Sequence, residues 1–316
     1  MGQRRSLSFL APLIPYDREQ HDVHVARYQI SDSKGLKWGW LVSHCDLPDH
    51  SAAALGAGLD IAIHGMNLVE AELLAGMSTA HRDGVRKLLY LYFNVPFEAS
   101  KADVDETVAA IMAVYKTTRT GLEGEKGNAE YHNNADGMSQ TLNGYVQIPL
   151  VGAAGPIHLN FPKIMVQDMR LGGIYWSGLL VHEATHRFVQ TTDLANEVKV
   201  GDKKLDGYLA GDRINTLAKF KQYRALDDAQ TARGKAVCPK ANHISTAQHL
   251  KNADSFAWFY IAMLQARDED TLTIAKRFSG IYNDLKTACT AFEAVQRKVV
   301  SPAELGIPGM VAIDTI

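Results

Sequence analysis

Ile174-Tyr-Trp-Ser-Gly-Leu-Leu-Val-His-Glu-Ala-Thr-His-Arg-Phe-Val189 joins an apolar run directly to the pentad His182-Glu183-Ala184-Thr185-His186. Its length, its apolar spacing and the absence of proline predict a buried helix from about Ile174 to Val189. On such a helix His182 and His186, four residues apart, leave the same face about one turn apart. Their nitrogens can then take adjacent corners of a zinc tetrahedron at ~2.0–2.1 Å from the ion. Glu183 is rotated away from that pair, poorly placed as a ligand but able to act as general base toward a water that the metal activates. Two histidines and a glutamate in a buried helix are costly unless something satisfies them, and a metal ion satisfies all three.

Working outward, the chain predicts an α+β fold, mainly helical, with a small β-sheet preceding the His-Glu-x-x-His helix. Two strand-like runs, Tyr145–Val151 and Ile157–Met165, flank Gly-Ala-Ala-Gly-Pro just before it. Helical spacing runs from Asn67 to about Phe93, ending before Pro96. Ser100–Lys116 reads as a clearer helix with Ser100 or Asp103 as cap and Val104, Val108, Ile111, Met112 and Tyr115 as its apolar stripe. Gly121–Gly144, rich in Gly, Asn, Asp and Glu, reads mostly as loop, and residues 190–213 as irregular. His249–Gln265 and Thr271–Lys298 read as two long helices. Extended stretches at Val23–Ile30 and Lys37–Ser43 mark a partly β N-terminal extension of illegible purpose. The division predicted is 1–65 extension, 66–300 main domain with an extra C-terminal helix, and 301–316 tail.

The third ligand defines the kind of centre. A metzincin needs Gly at 189 and His at 192; this chain has Val189 and Thr192, so that class is excluded. Asn196-Glu197 imitates a thermolysin-like Asn-Glu pair but lies much too close to His186. The remaining acids are Asp193, Glu197, Asp202 and Asp206.

Thr191-Thr192-Asp193 after the pentad, and Asn252-Ala253-Asp254-Ser255-Phe256 further on, resemble the deuterolysin family of aspzincin metallopeptidases. The resemblance spans roughly Asn67 to Gln265 and implies a zincin-like fold, a zinc cofactor and Asp193 as third ligand. Asp193 can share the metal only if the helix stops, because two further helical turns would carry it ~10 Å past His186. Two positions depart from the family pattern: Gln190 stands where the family has Gly, and Asn196 where it has an oxyanion-binding Tyr. An insertion would let Tyr208, in Asp206-Gly207-Tyr208, supply that aromatic; a rival alignment makes Asp206 the ligand. The resemblance places Asp254 near the metal, orienting a zinc-bound histidine or lining the pocket beside the scissile bond. Lysine-selective relatives add an acid one turn later, where this chain has Ala257.

The expectation is therefore a zinc-dependent endopeptidase, with protein or peptide substrates. The alternative is a secreted or injected effector or toxin-like protein using a zincin domain, catalytic or not. With 33 basic against 35 acidic residues, nothing points to nucleic acid or a membrane surface. No uninterrupted apolar run reaches the ~18 residues of a membrane span. The N-terminal run, broken by Pro12 and Pro15, is no clear signal peptide, leaving a non-classical or dedicated export route open. Cys45, Cys238 and Cys289 have no C-x-x-C pairing; they read as thiols, with one bridge feasible.

Overall fold

The computed structural model describes residues 24–32, 35–43, 49–76, 82–96, 98–124, 131–133, 144–147, 154–161, 172–193, 198–200, 203–205, 245–265 and 279–299. β1 (His24–Asp32) and β2 (Gly35–Ser43) pair antiparallel. β3 (Tyr131–Asn133) runs parallel to β2 and to β5 (Ile157–Leu159), while β4 (Gly144–Val146) pairs antiparallel with β5. The sheet order is β1-β2-β3-β5-β4, so β4 is an edge strand. β6 (Val198–Val200) and β7 (Lys203–Leu205) form a separate antiparallel pair. On β5, Ile157 and Leu159 are fully buried while the intervening His158 stacks on Tyr145 of β4, as the two-residue strand period requires.

The helices are α1 (Asp49–Gly76), α2 (Arg82–Phe93), α3 (Lys101–Glu123), α4 (Gly173–Val189), α5 (Thr246–His249), α6 (Ala253–Gln265) and α7 (Ser279–Val299). The architecture is α+β and mainly helical, as the sequence predicts. α1 is the central packing helix, in contact with α3, α4, α7 and β1. It is long and apolar enough to cross a membrane by length and composition, but its apolar window is largely buried within this fold. The motif helix α4 lies between α1 and α6. Gly58 of α1 and Gly178 of α4 permit this: a Cβ at Gly58 would fall 2.1 Å from Trp176 Nε1, and one at Gly178 2.5 Å from Ile261 Cδ1. Trp176, fully buried, donates its indole N–H to Ala54 O (2.9 Å), which fixes the rotation of α4 about its axis. Tyr260 of α6 meets Ser177 (2.9 Å) and donates to Ile61 O (3.0 Å), tying α6, α4 and α1 together.

Several expectations change. The expected boundary at residue 65 falls inside α1, and β1 and β2 belong to the same sheet as the strands beside the motif helix. Leu41 of β2 and the first half of α1 therefore contribute to the common core. Of the strands expected at Tyr145–Val151 and Ile157–Met165, the described residues contain β4 and β5, three residues each. The loop expected over Gly121–Gly144 contains the end of α3 and all of β3. The expected helix His249–Gln265 breaks at Leu250–Asn252, where α5, opened by a Ser245/Gln248 capping box, gives way to α6. Ser100 is the cap of α3, accepting from the Asp103 N–H (3.2 Å); Val104, Val108, Ile111 and Tyr115 are buried beneath it. Cys289 is partly buried and in no disulfide among the described residues; Cys45 and Cys238 lie outside the described residues.

Candidate metal centre

α4 ends in a left-handed residue, Gln190 (φ 58°, ψ 38°), whose N–H bonds to His186 O (3.1 Å). That conformation is why a glycine suits this position and why Gln is an unexpected occupant. The reversal brings Thr191 back under the helix end, where its N–H reaches Thr185 O (3.4 Å) and its hydroxyl donates to Thr185 Oγ1 (2.8 Å). Thr192 then forms a parallel bridge with Asn252: its N–H bonds to Lys251 O (2.8 Å), and the Ala253 N–H bonds to Thr192 O (3.1 Å). One short bridge therefore fastens the Asp193 segment to the start of α6, which carries Asp254.

The result is a compact constellation. His182 Nε2 and His186 Nε2 are 3.2 Å apart, and Asp193 Oδ1 is 3.3 Å from each. A regular tetrahedron with corners ~2.0–2.1 Å from its centre has edges of ~3.3–3.4 Å, so these three atoms are spaced as three corners of a zinc site. The other ring nitrogens are occupied. His186 Nδ1 lies 2.7 Å from Thr191 O, and a carbonyl can only accept, so Nδ1 bears the hydrogen. His182 Nδ1 faces Asp254 Oδ1 at 3.0 Å, which fixes the same tautomer. In the neutral rings both Nε2 atoms then offer lone pairs toward a carboxylate oxygen, an arrangement that requires a cation at its centre.

A proton is the competing cation. Burial by itself lowers the His182 pKa, but hydrogen bonds to Asp193 and Asp254 and the charges of Asp254 and Glu183 outweigh it and hold the ring well above its ordinary value. Burial likewise acts to raise Asp193, yet the two histidines hold it well below the usual carboxylate range. Asp193 is 49% exposed, so the centre opens to solvent on that side.

Compared with known protein families, curated proteins and solved structures, the chain matches none.

Glu183 is 2% exposed, and burial raises its carboxyl to about 7, against the lowering effect of the two histidines. Its Oε2 is buried with no hydrogen-bond partner among the described residues, a costly state for a side chain with only a structural role. One ligand atom each from His182, Glu183 and His186 lies within 4.8 Å of the others. Gly144 on the edge strand β4 makes room for this carboxylate, since a Cβ there would lie 2.7 Å from Glu183 Oε1. Arg187, next to His186, donates to Gly155 O (2.5 Å), and the Gly155 N–H bonds to Gln147 O (2.9 Å), so the ligand helix also holds the β4–β5 connection.

His182, Glu183, His186, Asp193 and Asp254 are thus brought together. Glu197, Asp202, Asp206 and Tyr208 lie outside the described residues. Sequence reasoning missed the threonine relay Thr185–Thr191, the Thr192–Asn252 bridge and Gly144. Only Gly144, a lone glycine before a strand-like run, carried a readable signal.

Proposed function

We propose that the protein is a zinc-dependent endopeptidase of aspzincin type, with a zincin-like active site. The observation that carries the reading is the convergence of His182 Nε2, His186 Nε2 and Asp193 Oδ1 at 3.2–3.3 Å, with both Nδ1 atoms engaged elsewhere. Zinc, when bound, would supply Lewis acidity, polarising the scissile carbonyl and lowering the pKa of water toward ~7. His182, His186 and Asp193 would hold it. The resemblance to deuterolysin relatives in Thr191-Thr192-Asp193 and Asn252-Ala253-Asp254 supports the same ligand set.

Glu183 removes the proton from the attacking water and returns it to the departing nitrogen. A carboxyl raised to about 7 by burial is suited to both transfers near neutral pH. Asp254 keeps the His182 ring in its ligating tautomer, and Thr191 O does so for His186. Among the described residues β4 is an edge strand beside Glu183, along which an extended peptide can add as a further strand. Tyr208 remains the proposed oxyanion donor by the resemblance alone.

The test is peptidase activity of the zinc-loaded chain against its Glu183→Gln variant. The expected result is a loss of at least a thousandfold in kcat with one zinc still bound. Retained proteolysis would remove Glu183 as base, and failure of the wild type to retain zinc would remove the centre.

A further inference from the structure

We propose that the seam between α4 and α6, immediately next to the metal centre, is the pocket for a large apolar or aromatic substrate side chain adjoining the scissile bond. The inference rests on the endopeptidase reading and specifies its substrate class. Leu179 and Tyr175 lie three and seven residues before His182, and so on the His182 face of α4. Trp258 lies four residues after Asp254, one turn along α6, and its ring meets Tyr175 edge to face at 6.3 Å. The His182–Asp254 contact fixes where this seam begins. At ~1.5 Å rise per residue, Leu179 and Trp258 stand ~4.5 and ~6 Å along their helices from the residues at the metal. That is the reach of one side chain from the residue next to the cleaved bond.

Exposure sets these residues apart. Trp176, Phe256, Phe259 and Tyr260 on the same two helices are fully buried, whereas Tyr175, Leu179 and Trp258 are only partly covered, although all three pack on the core. Tyr175, Leu179 and His182 are partly exposed positions on one face of α4, as Trp258 is on α6, and covering Tyr175, Leu179 and Trp258 with a substrate ring removes apolar surface from water. The seam also disfavours a cation. Asp254 is committed to His182, and the position one turn beyond it, Ala257, is a buried methyl without charge. A lysine or arginine head there would be desolvated without a partner.

The experiment is a cleavage-site profile of the zinc-loaded chain on a mixed peptide library, followed by kcat/KM for a matched pair of peptides. The pair differs only in Phe or Ala at the residue flanking the preferred bond. The wild type is expected to cut beside Phe, Tyr, Leu or Met and to favour the Phe peptide about 10- to 100-fold, the span set by burying one such side chain. Trp258→Ala and, separately, Leu179→Ala are expected to shrink that ratio severalfold while zinc stoichiometry shows the fold retained. Glu183-dependent cleavage with no apolar preference, or with preference for Lys or Arg, overturns the pocket and leaves the peptidase reading standing. An unchanged ratio in both variants also overturns it. Absence of any Glu183-dependent cleavage removes the peptidase reading and this inference with it.

Discussion

Replacing Asp254 with Ala removes the acceptor that holds the His182 Nδ1–H at 3.0 Å, from a residue that is 9% exposed. The His182 ring then loses the contact that fixes its tautomer and raises its basicity as a ligand. Outer contacts of this kind are worth about 10- to 100-fold in metal affinity, which corresponds to about 1.4–2.8 kcal/mol. Asp254→Asn keeps an oxygen able to accept from Nδ1 but loses the charge, so its affinity should fall between wild type and Ala. The assay is competition for zinc against a chelator of known affinity at neutral pH, with melting of the metal-free proteins as the control for folding. A zinc affinity of Asp254→Ala within twofold of wild type, in a folded protein, would refute the argument that this carboxylate positions a ligand.

Three further outcomes follow from the same geometry. Gln190→Gly relieves a left-handed conformation at φ 58° and should stabilise the metal-free protein by about 0.5–1 kcal/mol, read as a rise in Tm. Gly144→Ala places a methyl 2.7 Å from Glu183 Oε1 and should lower kcat at least tenfold with zinc retained, as steady-state kinetics with metal analysis will show. Glu183 is raised from 4.5 to about 7 by burial, so its favourable contribution to the metal-free fold is present below about 4.5 and lost as pH rises through about 7. Melting in chelator across that window should therefore show Glu183→Gln losing less stability than wild type with rising pH.

The pentad and its helix were legible because four-residue spacing and an apolar run are local signals, and α4 begins within one residue of the reading. Asp193 was legible only through its Thr-Thr-Asp setting. The feature that makes it work, the left-handed turn at Gln190, is hidden, because glutamine does not announce that conformation as glycine would. The Thr192–Asn252 bridge joins residues sixty positions apart, so no periodicity could reveal it, and it is also what broke the helix expected from His249. β3 escaped for a different reason. Three residues between Gly- and Asn-rich stretches carry no readable alternation, and their place is set by the strands on either side. The first half of α1, around residue 65, was not legible because this helix is apolar on most sides, as a central helix must be, and so lacks the stripe by which surface helices are recognised.

The most direct test of the centre is anomalous diffraction at the zinc edge from crystals of the full chain grown with one equivalent of zinc. A single strong peak is expected ~2.0–2.1 Å from His182 Nε2, His186 Nε2 and an Asp193 carboxylate oxygen, with a non-protein oxygen at the fourth corner. A peak elsewhere, a fourth protein ligand closing the site, or no peak between the two histidines would contradict it.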